Sequence, residues 1–376
     1  MNHRLGTTRL CRHPRSATWN ALVAAIALAS STLAIGQIEV GNEKRAPDKN
    51  AEQIRNERMH PVERLRREAA RAKKLVTTDT GQMYIVATNW LPVVSGRSVF
   101  QDKGTKHTLT RAEFDALPSD QQPNYSEVAL DATFYYYTRY GSPVAYSRPF
   151  DLLAARGDSH GNWFSGKRIL DFGVGGIAPL RLMAIAGADA VGVDVDPLLS
   201  PFYSEEGDQG VVTGPRDLIP DAVDGKVTLV TGSWPAGEGM KAKVGEGFDL
   251  FISKNTLKRG YIHPEQEVDK RMLIDLGVPD DEFVRNVASV LKPGGFFLIY
   301  NLSPAQKPDA YIPWADGRSP FGRGILEAAG FEVLEFDNDD SEAARALGRA
   351  LGWDEGDSAM DLQNDLFARY TLLRKK

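Results

Sequence analysis

KRILDFGVGGIAPLRLMAIAGADAVGVDVDP, residues Lys167–Pro197, decides the fold of this chain. It reads as strand, glycine turn, helix and second strand ending in an acid, which is half of a nucleotide-binding unit. Arg168 to Phe172 is a mostly apolar run with Asp171 near its end. Gly173, Gly175 and Gly176 then let the backbone turn tightly with no side chain between it and a ligand. Pro179 falls in the opening turn of the helix, where a missing N–H costs little, and Leu180, Met183 and Ala184 supply an apolar face. Gly187 ends the helix. The run Ala190–Val193 delivers Asp194, 21 residues after Gly173, at the spacing of an acid that accepts hydrogen bonds from ribose hydroxyls.

Downstream, strand and helix keep alternating. A third strand is predicted at Lys226–Val230, followed by Gly232, Ser233 and Trp234, and a fourth at Phe248–Ser253, leading into KNTLKRGYIHPE. Next comes a helix with Phe283, Val284, Val287, Val290 and Leu291 on one face; Asp280 is placed to cap it, and Lys292-Pro293-Gly294-Gly295 to stop it. Phe296–Tyr300 is wholly apolar, as suits a strand buried on both faces of a parallel sheet. Gly324–Ala329 reads as helix, Phe331–Phe336 as a sixth strand and Asp365–Leu373 as a seventh. The pattern predicts a doubly wound α/β fold with a mostly parallel seven-stranded sheet over residues 161–376.

Upstream, residues 62–160 are expected to form a mainly helical cap over that unit. Val62–Val76 reads as a solvated helix of alternating charge and Met83–Thr88 as a strand. Thr110 and Glu113 have capping-box spacing, Ser126–Tyr140 reads as an aromatic-rich helix, and Pro149–Arg156 begins another. Residues 37–61 are polar, lack periodicity and read as a linker.

The first 36 residues hold Arg4, Arg9, Arg12 and Arg15 but no acid, and end in the apolar block Ala21–Gly36. That layout predicts a secretory signal peptide cut ahead of Gln37, hence export to a periplasmic or extracellular location. An uncleaved membrane anchor and a mitochondrial transit peptide are the competing readings. The single cysteine, Cys11, lies in this leader, so a mature chain has no disulfide, no disulfide-linked partner and no cysteine nucleophile or metal ligand. Removing the leader leaves 41 basic against 50 acidic residues, which does not suggest a nucleic-acid partner. The chain's 42% hydrophobic and 25% charged residues are those of a globular protein. No H-E-x-x-H, EF-hand or G-x-S-x-G pattern occurs, so metal-assisted hydrolysis and serine nucleophiles are not supported and no metal is expected.

Two ligand classes use this architecture. Gly173, Gly175 and Ala178 match the dinucleotide spacing G-x-G-x-x-G/A, but Asp171 would stand near the pyrophosphate and repel it. A ligand with a charged amino group and no phosphate would be welcomed there. From Ser126 to Lys376 the chain resembles the class I S-adenosylmethionine-dependent methyltransferases, on Asp171 with Gly173, Gly175 and Gly176, on Asp194, and on the Leu291–Gly295 turn LKPGG. The resemblance implies that Asp171, the glycines and Asp194 bind the cofactor S-adenosylmethionine. It also implies that Gly232, Ser233 and Trp234 contact adenine, and that Ser253, Lys254 and Asn255 face the transfer site. The chain departs from the pattern at Ile177, where a third glycine is frequent, and at Ser233, where an acid is frequent.

Tyr261 and His263 are the candidate substrate-side groups, since transfer to oxygen or nitrogen can use a base that removes the acceptor's proton. Tyr135, Tyr136, Tyr137 and Tyr140 are read as core, with an aromatic pocket for the sulfonium as the second reading. Lys254, Lys258 and Arg259 are read as solvated loop charges, with anion binding second. The sequence thus points to a methyltransferase acting on a small molecule, with an NAD(P)-dependent oxidoreductase or a non-catalytic exported binding protein as alternatives.

Overall fold

In the computed structural model the described residues are 59–137, 141–156, 161–218, 222–356 and 359–376. The leader, the linker up to residue 58 and Tyr140 lie outside them. The N-terminal part opens with helix α1, Pro61–Ala72, entered through His60, whose ring accepts the Val62 N–H, and continued by a single turn at Lys73–Leu75. It is not a solvated helix. Val62, Leu65, Ala69 and Ala72 recur on one side and are buried, and so is Glu68, whose carboxylate accepts from the Tyr137 hydroxyl at 3.0 Å and the Ser142 hydroxyl at 2.5 Å. Met83–Thr88 is not a strand either: helix α2, Asp79–Val86, covers most of it. Thr78 caps that helix by accepting the Gly81 N–H, and a short apolar run such as Met83–Val86 fits helix and strand equally until a cap decides.

A three-stranded antiparallel sheet follows, with β1 (Arg97–Asp102) between β2 (Thr108–Leu109) and β3 (Tyr125–Leu130). The predicted capping box at Thr110 and Glu113 is present between β2 and β3. The region predicted as one helix from Ser126 to Tyr140 is therefore split. Ser126–Leu130 pairs with β1, and Asp131 then starts a five-residue helix, Ala132–Tyr136, by accepting the Phe134 N–H. Helix α3, Ser147–Arg156, completes the cap, which is part helix and part sheet.

The main sheet has eight strands: β4 (Arg168–Phe172), β5 (Asp189–Asp194), β6 (Gly210–Val212), β7 (Gly225–Thr231), β8 (Phe248–Lys254), β9 (Leu291–Ser303), β10 (Phe331–Asp339) and β11 (Phe367–Lys375). Their order is β10-β11-β9-β8-β4-β5-β7-β6. Five neighbours, β7-β5-β4-β8-β9, run parallel; β11 is antiparallel to both β9 and β10, and β6 is antiparallel to β7. The seven predicted strands are all present. The eighth, β6, comes from the Pro- and Gly-punctuated connection after Asp194. The pairing of β10 with β11 slips register between Val333 and Glu335 and again between Glu335 and Asn338.

Helix α4, Ala178–Ile185, lies on the cap-facing side of the sheet, and helix α5, Asp280–Val290, on the other. Asp280 does not cap α5: Pro279 occupies that position, and the Asp280 carboxylate is bonded to His263 instead. Close seating of α4 depends on glycine. A Cβ on Gly225 of β7 would stand 2.0 Å from the Ala184 carbonyl oxygen. One hydrophobic core joins Val62, Tyr84, Tyr146 and Phe150 of the cap to Ile169, Ile252 and Tyr300 of the sheet. A second, containing Phe172, Phe251, Phe283 and Phe297, fills the opposite face.

Candidate functional site

The parallel strands end along one edge, and their register builds the site. Asp171 of β4 is paired with Gly192 of β5 and with Ile252 of β8. Side chains two residues apart share a face, so Asp194 and Lys254 stand one step beyond Asp171 on its two neighbouring strands. The same pairing continues the row to Thr231 on β7 and Tyr300 on β9. This face is the one the cap covers. Between β4 and β8, where the strand order of this open α/β sheet reverses, the Asp171 carboxylate thus stands on one side and the Lys254 ammonium on the other.

The glycine turn closes on the acid of β5. Gly173 and Gly175 are left-handed, with φ of 76° and 65°, conformations that carry little cost only for glycine. Gly175 N–H donates to Oδ2 of Asp194 at 2.9 Å and Asp196 N–H to Oδ1 at 3.0 Å, so Asp194 fixes the turn. Gly176 is buried beneath the turn. Gly173 is also required by a neighbour: its carbonyl accepts from the Thr256 hydroxyl at 3.2 Å, and a Cβ there would stand 2.1 Å from that oxygen. The space this glycine leaves is therefore taken by Thr256, not left open as the sequence suggested.

Asp171 is fully buried, and neither of its oxygens has a hydrogen bond of ordinary geometry. Burial pushes its pKa up to about 7; the Tyr146 hydroxyl and the Lys254 ammonium hold it down, while the negative charge of Asp194 adds to the rise. Lys254 is 1% exposed, with its ammonium 5.1 Å from the centre of the Tyr146 ring. Burial pulls its pKa down to about 8, against the attraction of Asp171. Lys258 is 2% exposed and donates to the carbonyls of Leu302 at 2.6 Å and Trp314 at 3.2 Å. Burial, with repulsion from Lys254, lowers it to about 7. These two lysines are not solvated loop charges. The strand leading to Lys254 is apolar on both faces and so gave it no inward direction; Tyr146 carried no signal in the sequence.

Other predicted residues have structural duties. Gly232 donates its N–H to the Asp194 carbonyl at 2.8 Å and Ser233 beside it is exposed, which leaves this loop at the Asp194 end of the row. Trp234 is 2% exposed and packs on Phe172, Phe251 and Phe283. Those residues point to the opposite face of the sheet, so its indole belongs to the second core and is not open to stack on a base. Ser253 accepts the Leu257 N–H at 3.2 Å, and Asn255, left-handed at φ 66°, accepts the Leu302 N–H at 2.7 Å. Both shape the loop through side-chain to backbone bonds. Tyr261 is 5% exposed with the Lys258 ammonium 5.5 Å from its ring centre. His263 has a side chain 43% exposed and is paired with Asp280 at 2.7 Å. The two candidate bases are thus engaged elsewhere and are not brought together. Tyr135 and Tyr136 are buried in the cap-side core, as the core reading of the tyrosine run required.

No protein-family model matches the chain, and no curated protein matches its sequence. Solved structures share its fold at low identity. The [4+2]-cyclase SpnF is 19% identical over 60% of this chain and 78% of its own, with a TM-score of 0.34. The magnesium protoporphyrin IX methyltransferase of Synechocystis PCC 6803, with bound S-adenosylmethionine, is 16% identical over 62% and 78%, at 0.30. Phosphoethanolamine N-methyltransferase 2 of Haemonchus contortus, with S-adenosylhomocysteine, is 16% identical over 78% and 74%, at 0.32. Likenesses of this size carry no argument about activity, and one of the three is a cyclase, so the chemistry rests on the residues of this chain.

Proposed function

We propose that this protein is an S-adenosylmethionine-dependent methyltransferase acting on a small molecule. One observation carries the reading: Asp171, fully buried and eased only by the Tyr146 hydroxyl and the distant Lys254 ammonium, stands one step from Asp194 at the ends of the parallel strands. A buried carboxylate is costly unless a donor or cation reaches it. A ligand bearing an ammonium and a ribose would satisfy Asp171 and Asp194 together. A pyrophosphate would bring negative charge to Asp171. The antiparallel β11 between β9 and β10 also departs from the 3-2-1-4-5-6 order of dinucleotide-binding sheets.

The chemistry such a cofactor supplies when bound is a methyl group on sulfonium. Asp194 orients it through the ribose, Asp171 neutralises its ammonium, and the cap excludes water from this face. Direct displacement asks the protein for proximity and alignment more than for covalent chemistry. S-Adenosylhomocysteine is expected to raise the melting temperature of the purified protein, by several degrees at about a hundredfold its Kd, and Asp194→Ala to remove most of that rise. No rise, with a clear one from NAD or NADP, would instead mark an oxidoreductase; no response to either would mark a binding protein that reuses the fold.

The leader supports export. N-terminal sequencing of the protein recovered from its host should find Gln37 first, whereas an intact Met1 would mark an anchor.

A further inference from the structure

We propose that the methyl acceptor is an oxyanion, a carboxylate or an ionised phenol, seated on Lys254; this rests on the methyltransferase reading. Among the described residues no hydrogen-bond acceptor and no ion pair reaches the Lys254 ammonium, although the residue is 1% exposed. Lys258 differs, because two carbonyls hold it. A buried ammonium that rests on the Tyr146 ring face and finds no hydrogen-bond acceptor is costly, as a buried carboxylate is, and Asp171 attracts it without ion-pair contact. The row places Lys254 on the far side of Asp171 from Asp194. A ligand held by its ribose at Asp194 and its ammonium at Asp171 therefore ends beside Lys254, on the side left for the acceptor.

The placing of the two candidate bases, Tyr261 and His263, fits the same assignment. Tyr261 lies under Lys258 and His263 is turned to Asp280 at the surface. An oxyanion needs no deprotonation. Its oxygen forms the new O–CH3 bond as the S–CH3 bond breaks, the bonding pair stays on sulfur, and no proton moves. Sulfonium and oxyanion are both consumed, giving a neutral thioether and an ester or aryl ether. Lowering charge in a dry site is favourable, and the product, no longer an anion, has lost its attraction to Lys254.

The test is calorimetry on the full chain loaded with S-adenosylhomocysteine, using benzoate and 4-nitrophenolate against benzylamine and benzyl alcohol as probes. The two anions should bind at millimolar concentration and the amine and alcohol should not; Lys254→Met should weaken the anions at least tenfold and leave S-adenosylhomocysteine affinity within about twofold. Binding of the amine or alcohol as tightly as the anions, or of no probe, overturns the proposal. So does an equal loss of S-adenosylhomocysteine affinity in Lys254→Met, which would assign the lysine to the cofactor's own carboxylate. The wild-type probe series decides the matter even if the variant fails to fold. Failure of the underlying reading is distinct: wild-type protein would then not bind S-adenosylhomocysteine at all.

Discussion

Asp171 and Lys254 each weaken the folded state in a different pH range. Asp171 holds its proton more tightly when folded, at about 7, than at the ordinary value of 3.8, so stability falls as pH rises through that interval. Lys254 is lowered from 10.5 to about 8, so folding is penalised below about 8 and stability recovers towards 10.5. Between those folded values both charges are present and buried. Asp171→Asn is expected to melt higher than the wild type at pH near 8 and to converge with it below pH about 4, while losing the response to S-adenosylhomocysteine. Thermal melts across that range check both parts. S-Adenosylhomocysteine binding should strengthen as Asp171 ionises through about 7, and binding of an anionic acceptor should weaken as Lys254 loses its proton above about 8; titration calorimetry at several pH values reads both. The sequence placed Asp171 at the end of its strand but read Lys254 as a solvated loop charge, since both strands are apolar on both faces and so give no inward direction. Their isolation was not legible, because it depends on Tyr146 and the cap arriving from elsewhere in the chain.

The elements read correctly were those whose periodicity and boundaries agreed: β4, α4, β5 and α5 were signalled by apolar runs bounded by glycine, proline or acid, whereas β9 begins at Leu291 and takes in the Lys292-Pro293-Gly294-Gly295 stretch read as a turn. The cap was misread where a short apolar run had no long-range information. Tyr125–Leu130 is a strand only because Arg97–Asp102 pairs with it, and its alternation is too weak to declare that alone. The cap sheet is also fastened to the main domain by Arg97 of β1, which reaches the Phe202 carbonyl and both oxygens of buried Asp208; Tyr135 donates to the same carboxylate at 2.9 Å. Arg97→Ala would leave that carboxylate buried with its cation gone, and should cost about 3–5 kcal/mol in chemical denaturation. Gly225→Val should be equally harmful by another route, since its side chain would meet the α4 backbone, which cannot yield as a flexible side chain does.

Taken whole, the molecule is not a nucleotide-binding unit with a detachable lid. Tyr84, Phe150 and Phe164 pack on one another, tilted and edge-to-face, with Tyr84–Phe150 and Phe150–Phe164 centroids both 4.9 Å apart, inside the core that continues into the sheet. Arg148 of α3 forms two hydrogen bonds with Asp340, and Asp340 also accepts from the Tyr300 hydroxyl at 2.9 Å, so the cap is tied to the strand beside Lys254. A chain starting at Asn162 would expose an apolar sheet face and is expected to aggregate; a soluble product with a single cooperative melt would show instead that the cap is separable. The margins of the sheet have a consequence for crowding. One ends in β6, only three residues long, and the other in β10, whose register slips twice. Neither offers a long straight row of free amides and carbonyls on which another copy could lay a strand. At high concentration this protein should therefore resist growth into strand-added polymers, a solubility built into the two outermost strands rather than into its surface charge.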